Sequence, residues 1–124
     1  MRKDEVVNEL FNAANEFGVV EVLDAVFGSS VRVSIALSQK TCDTEIDTLD
    51  FSVRANNAMK RAGLFTLGEV AEIIASGELA KIRNLGKKTE NEIKTRLLVY
   101  GFERLSDKEK KDFFADTLDR NLGQ

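Results

Sequence analysis

LAKIRNLGKKTENEIKTRL, residues 79–97, decides the fold. A short turn of helix ends at Asn84-Leu85-Gly86, and Gly86 opens a second helix running from about Lys87 to Tyr100. Leu79, Ile82, Leu85 and Ile93 recur where two such helices would hold each other, and Ile93, Leu97 and Tyr100 share one face of the second. This is the layout of a helix-hairpin-helix. Its physics suits an anion: a helix start offers unpaired backbone N–H groups and a partial positive charge. A glycine there brings no Cβ between backbone and ligand, and Lys87, Lys88 and the Thr89 hydroxyl add donors. The GKKT run resembles the tail of a P-loop, but Lys81 stands where the first glycine belongs and an extra lysine separates Gly86 from Thr89. No buried strand precedes it, so a P-loop is excluded.

Working outward, the preceding segment is densely punctuated. Ser52 is placed to cap a helix over 53–62, closed by Gly63. Thr66 and Glu69 form a capping box, with Phe65 and Val70 at the positions of a hydrophobic staple. Leu67, Val70 and Ile74 make the buried face of that helix, which Gly77 ends. After the hairpin, Gly101 reads as a stop. Ser106 and Glu109 make another capping box for a last helix carrying Phe113, Phe114 and Leu118.

Toward the N-terminus, Val7, Leu10, Ala14 and Phe17 follow helical spacing up to Gly18. VVEVLDAVF (19–27) predicts a short helix, apolar on most sides, that needs cover on most sides. In VRVSIALS (31–38), Val31, Val33, Ile35 and Leu37 alternate with polar or small residues, the only period-2 signal in the chain. It reads as a strand needing a partner, from a second copy for instance, or as a short helix or an extended buried segment. SQKTCDTEIDT (38–48) is polar and short-sided and reads as a linker, with Cys42 incidental within it. The fold class is therefore mainly α: a compact helix-hairpin-helix (SAM-like) bundle of four or five short helices over residues 46–124. A small helical module over 1–45 precedes it, and 31–38 is a candidate short strand.

The 124 residues hold 18 Lys+Arg and 21 Asp+Glu, a net charge of −3, with 43% apolar residues. That is the composition of a soluble globular protein. No apolar run approaches the roughly 18 residues a bilayer span needs, and the charged start MRKDEVVNEL is unlike a signal peptide. A cytoplasmic location is expected. With no histidine and one cysteine, imidazole-based catalysis, structural zinc and internal disulfides are excluded. Neither a metal nor a cofactor is expected. An acidic sequence argues against nucleic acid at first sight, but the charge is unevenly spread. Residues 1–45 carry −4, residues 46–105 carry +2 and residues 106–124 carry −1. Patch charge matters more to an anionic partner than total charge.

Two blocks, SVRANNAMKRAGLFTLGEV (52–70) and NLGKKTENEIK (84–94), make the stretch 49–102 closely similar to the C-terminal domain of the bacterial RNA polymerase α subunit. The resemblance implies binding across the DNA minor groove at A/T-rich tracts, largely through the backbone. On it, Arg54 matches the groove-inserting arginine and Asn57 its partner one turn along. Asn84, Gly86, Lys88 and Thr89 match backbone-contacting positions, and Lys81 another basic contact. An arginine is favoured in a narrow A/T minor groove, and lysines and helix-terminal amides fix register on phosphates. The bland alternatives are that Arg54 pairs with Asp50 and that Asn57 is a solvated helix residue. The resemblance also implies a σ-factor contact near Asp47 and Asp50, although Thr48 replaces one of the family's acidic positions. A further activator surface falls near Ser76, Gly77 and Glu78, where the chemistry departs and no contact carries over. Arg83 stands where the family often has proline, and residues 1–45 are unrelated to the α subunit's assembly domain. The chain reads as a stand-alone relative.

The leading expectation is a non-enzymatic DNA-binding protein with a role in transcription. Its double-stranded DNA contact would be reinforced by homodimerisation through residues 1–45. The alternative is an interaction module for RNA polymerase, σ factor or a regulator, with little DNA binding of its own. Shielding of Arg54, Lys87 and Lys88 by carboxylates would favour that alternative. An enzyme is poorly supported, since no carboxylate cluster or nucleophile–base pair is recognisable.

Overall fold

In the computed structural model, which describes residues 2–122, backbone hydrogen bonding follows the helical punctuation of the sequence. Met1 and the last two positions of the 46–124 segment lie outside the described residues. The helices are α1 (Lys3–Phe17), α2 (Val19–Phe27), α3 (Gln39–Cys42), α4 (Val53–Arg61), α5 (Leu67–Ala75), α6 (Lys87–Glu103) and α7 (Asp107–Leu122). Two 3-10 turns, Ile46–Thr48 and Leu79–Lys81, complete the regular structure, and the described residues contain no strand. The protein is mainly α, as expected. Both capping boxes form: Thr66 Oγ1 accepts from the Glu69 N–H while Glu69 accepts from the Thr66 N–H at 3.0 Å, and Ser106 and Glu109 do the same. The two backbone N–H donors, of Phe65 and then Thr66, hold the Glu69 carboxyl below its ordinary pKa.

The contacts group the protein into two units, one joining the residues up to Ala36 with those from Phe102 onward, the other spanning Leu37–Gly101. The sequence reading divided it at 45/46 and left α7 with the central helices. α7 instead packs along α1. Phe102, Phe113 and Phe114 form a mutually edge-on trio with centroids 5.3–5.6 Å apart. Lys111 lies over the Phe11 ring, and Lys3 pairs with Asp119 at 2.6 Å. In the same unit Val7, Leu10, Ala14, Val19, Val22 and Leu23 are buried. Phe17 is 64% exposed and Val26 51%, so the apolar spacing of α1 and α2 overstates what this unit covers.

Residues 31–38 form neither a paired strand nor a helix. The alternation is nonetheless expressed: Val31, Val33, Ile35 and Leu37 are half-buried and the residues between them exposed. The segment lacks a ladder because the described residues offer no second strand to supply one. At Arg32 a side-chain amide substitutes for a neighbouring peptide. Asn121 Oδ1 accepts from the Arg32 N–H at 2.8 Å, and Asn121 Nδ2 donates to the Arg32 carbonyl at 2.7 Å.

The central unit has its own core of Ile46, Leu49, Phe51, Ala55, Met59, Leu64, Leu67, Val70, Leu79, Ile93 and Leu97. The linker reading of 38–48 is corrected here. Ser38 caps α3, Thr41 and Ile46 are buried, the Ile46 N–H donates to the Phe65 carbonyl at 2.9 Å, and the Leu67 N–H donates to Thr44 at 2.9 Å. α3 lies so close to α5 that a Cβ at Gly68 would come within 2.9 Å of the Cys42 Cβ, so that glycine is required by packing. Gly101 does not end α6, which continues to Glu103. Glycine inside a helix costs about 1 kcal/mol against alanine, and burial of Phe102 one residue later offsets it.

Candidate nucleic-acid interface

Ser52 has extended backbone angles, and its hydroxyl accepts the Ala55 N–H at 3.1 Å, so it caps α4 in the manner its residue type predicts. Its remaining donors both reach across to α6. The Ser52 N–H donates to Glu92 Oε2 at 2.7 Å, and the Ser52 hydroxyl donates to Glu92 Oε1 at 2.8 Å. One carboxylate thus binds the start of α4 to the first turns of α6. Lys88 lies one turn before Glu92 on the same side of α6, and Arg54 lies two residues after Ser52, so the two motif blocks meet here. Arg96, one turn after Glu92, stands 3.7 Å from the same carboxylate.

The rotation of α4 is set by Ala55, Ala58 and Met59, all buried. That leaves Arg54, Asn57 and Lys60 exposed, and of these Lys60 pairs with Asp47 at 3.0 Å. Arg54 is not paired with Asp50, so the bland alternative for it does not form. Val53, beside Arg54 in the first turn, is an apolar residue left 76% exposed.

The hairpin is pinned from within. Leu79 is buried, Ile82 and Leu85 are half-buried, and the Leu85 N–H donates to the Ile82 carbonyl at 3.1 Å. Between those anchors Arg83 and Asn84 are exposed, and Asn84 reverses the backbone with φ 65°. Asparagine is among the few residues that tolerate that region. The Gly86 carbonyl accepts the Glu90 N–H at 2.9 Å and starts α6. Gly86 has no left-handed φ, and no atom lies within 4 Å of where its Cβ would be. The fold does not need a glycine there; a ligand approaching the backbone would.

The structure sorts the lysines. Glu90, nearly buried, pairs with Lys94 at 2.9 Å and Lys87 at 3.6 Å. Its carboxyl is held below its ordinary pKa, chiefly by the Lys94 hydrogen bond. Lys87 is thereby shielded. Among the described residues no carboxylate pairs with Arg54, Lys81 or Lys88. Of the residues predicted for this site, Arg54, Asn57, Lys81, Asn84, Gly86 and Lys88 are exposed, whereas Thr89 is only 6% exposed. Asp50 is exposed and Asp47 is engaged by Lys60.

Glu92 was not legible in the sequence, where it reads as a solvated member of a Lys88–Glu92–Arg96 stripe. Nothing local shows that it reaches a serine 40 residues earlier. Among the described residues, no helix is long and apolar enough to cross a membrane.

One protein family, the C-terminal domain of the alpha subunit of bacterial RNA polymerase, matches residues 34–98. The DNA-directed RNA polymerase subunit alpha of Malacoplasma penetrans is 40% identical over 88 residues, covering 71% of this protein and 24% of that one. That of Symbiobacterium thermophilum is 44% identical over 62 residues, covering 50% of this protein and 19% of that one. The sequence therefore spans a quarter or less of the length of these relatives. No solved structure matches it.

Proposed function

Since the protein belongs to the family of C-terminal domains of the bacterial RNA polymerase alpha subunit, we propose that it is a non-enzymatic, cytoplasmic DNA-binding protein acting in transcription. The central unit lays the paired starts of α4 and α6 across an A/T-rich minor groove. Arg54 enters the groove, where the negative potential is strongest, with Asn57 beside it. Lys81, Asn84, Lys88 and the backbone at Gly86 bind the flanking phosphates, while Thr89, buried, stays out of the contact. The observation that carries this reading is the Ser52–Glu92 bridge, which sets an unpaired arginine and an unpaired lysine at two adjoining helix starts. The shielding that would favour a pure interaction module reaches Lys87 but neither Arg54 nor Lys88.

RNA polymerase or σ factor is the protein partner in this reading, with Asp50 the more available contact because Asp47 is already paired. A homodimer through residues 1–45 compensates for a weak single interface. The exposed Phe17 and Val26 and the ladderless 31–36 segment support it. The test is fluorescence anisotropy on A/T-rich and G/C-rich duplexes beside a pull-down with RNA polymerase. Preferential, salt-sensitive A/T binding is expected. Polymerase capture without any duplex binding would replace the proposal with the interaction-module reading.

A further inference from the structure

Residues 51–68 and 79–89 contain not one Asp or Glu, yet they carry Arg54, Lys60, Arg61, Lys81, Arg83, Lys87 and Lys88. Over Leu37–Gly101 ten basic and nine acidic side chains nearly cancel, and the cancellation is local. Four cations are consumed in pairs: Lys60 by Asp47, Lys87 and Lys94 by Glu90, and Arg96 by Glu92. The carboxylates of this unit without a cation partner among the described residues, Asp43, Glu45, Asp50, Glu69, Glu72 and Glu78, lie on the 43–50 segment, on α5 and just before the hairpin. They lie neither on α4 nor at the hairpin tip. Two arginines outside the sites assigned above, Arg61 and Arg83, are exposed and unpaired among the described residues.

We propose that Arg61 and Arg83 are additional DNA-backbone contacts, widening the interface beyond the motif residues at both ends. This rests on the minor-groove reading of the central unit. Arg54, Asn57 and Arg61 stand at i, i+3 and i+7, one flank of α4, because Ala55, Ala58 and Met59 turn the other side into the core. Seven residues of helix separate Arg61 from Arg54 by about 10 Å. The minor groove is only about 6 Å wide, so a cation that far from a groove-inserted arginine falls over a strand walling the groove. Lys60 does not substitute, because it is held by Asp47. Arg83 occupies the hairpin tip between Ile82 and Leu85, whose partial burial fixes the loop while Arg83 and Asn84 stay in solvent. Lys81, Arg83 and Lys88 then bracket the open backbone at Gly86.

Salt dependence counts the contacts. Three cations, Arg54, Lys81 and Lys88, correspond to a slope of about −2.7 in log K against log salt, and five to about −4.5. Between roughly 50 and 200 mM salt the affinity then falls about 40-fold in the first case and about 500-fold in the second. The experiment titrates salt by anisotropy on an A/T-rich duplex with the 124-residue protein, Arg61→Gln and Arg83→Gln, recording thermal melts alongside. The expected result is a wild-type loss near 500-fold, reduced to about 150-fold in each variant, with unchanged melting. Unaltered slopes in both variants overturn the proposal. So does a lowered melting temperature with an unaltered slope for Arg61→Gln, since that marks a cation serving only the C-terminal dipole of α4. Failure of the wild-type protein to bind the duplex at low salt instead rejects the reading beneath it.

Discussion

Replacing Gly86 by alanine separates what the fold needs from what a ligand needs. The glycine starts α6 with an ordinary φ, and an added Cβ meets no atom within 4 Å. Removing glycine restricts the unfolded state, stabilising by about 0.4–1 kcal/mol. Alanine is a somewhat poorer N-cap than glycine, by several tenths to about 1 kcal/mol. The two effects oppose, so the stability change should stay within about 1 kcal/mol, a few degrees at most for a protein of this size. On DNA the same methyl group occupies the space through which a phosphate reaches the first N–H groups of α6. Losing one charge-assisted hydrogen bond costs about 1.5–3 kcal/mol, roughly a 10- to 150-fold weaker complex. Paired thermal melts and anisotropy titrations at low salt read both quantities. Melting within a few degrees of wild type together with undiminished DNA affinity would refute the reasoning, because the open space at Gly86 would then have no ligand.

Other perturbations follow from the same geometry. Glu92→Ala removes both hydrogen bonds to Ser52 and should destabilise the fold by about 1–2 kcal/mol at this half-buried site; it should also weaken DNA binding although it replaces no basic residue. Retained melting and affinity would show that the bridge positions nothing. At Asn84, held at φ 65°, glycine keeps the turn and loses only the side chain, whereas alanine adds about 1–2 kcal/mol of strain. Melts should therefore rank Asn84→Gly above Asn84→Ala, while both lose affinity if the side chain touches DNA. Glu90 has a folded-state pKa below its ordinary 4.5, so its stabilisation is complete above that value and is lost as pH falls through the lower one. Glu90→Gln should flatten the acid limb of a stability-versus-pH curve and leave the neutral-to-alkaline limb parallel to wild type.

The helix starts were legible because each is written in a few adjacent residues: Ser52 before α4, Thr66 and Glu69 around α5, Ser106 and Glu109 around α7. So was the core stripe of the central helices, where Val70, Ile93 and Leu97 keep helical spacing. What failed was long-range. Thr41 and Ile46 sit in a run of small polar residues whose composition says linker, and only docking against α5 shows otherwise. Gly101 carries a stop signal that the Phe102 cluster overrides. α7 has amphipathic spacing but no mark of which surface it covers, and Phe113 and Phe114 answer that only by meeting Phe102. Within the candidate site, the charge-bearing residues were visible as motif positions. Which of them are free was not, because Glu90 and Glu92 look alike in sequence. One neutralises two lysines while the other stitches two helices together.

The most direct test of DNA docking compares wild type with Arg54→Ala on an A/T-rich duplex at low salt, using a G/C-rich duplex as reference. Arg54 has no carboxylate partner among the described residues, so its loss should leave melting unchanged. It should reduce A/T affinity by about 1–3 kcal/mol, roughly 5- to 150-fold, and bring it close to the G/C value. Equal A/T affinity in the two proteins, with both folded, would contradict the account.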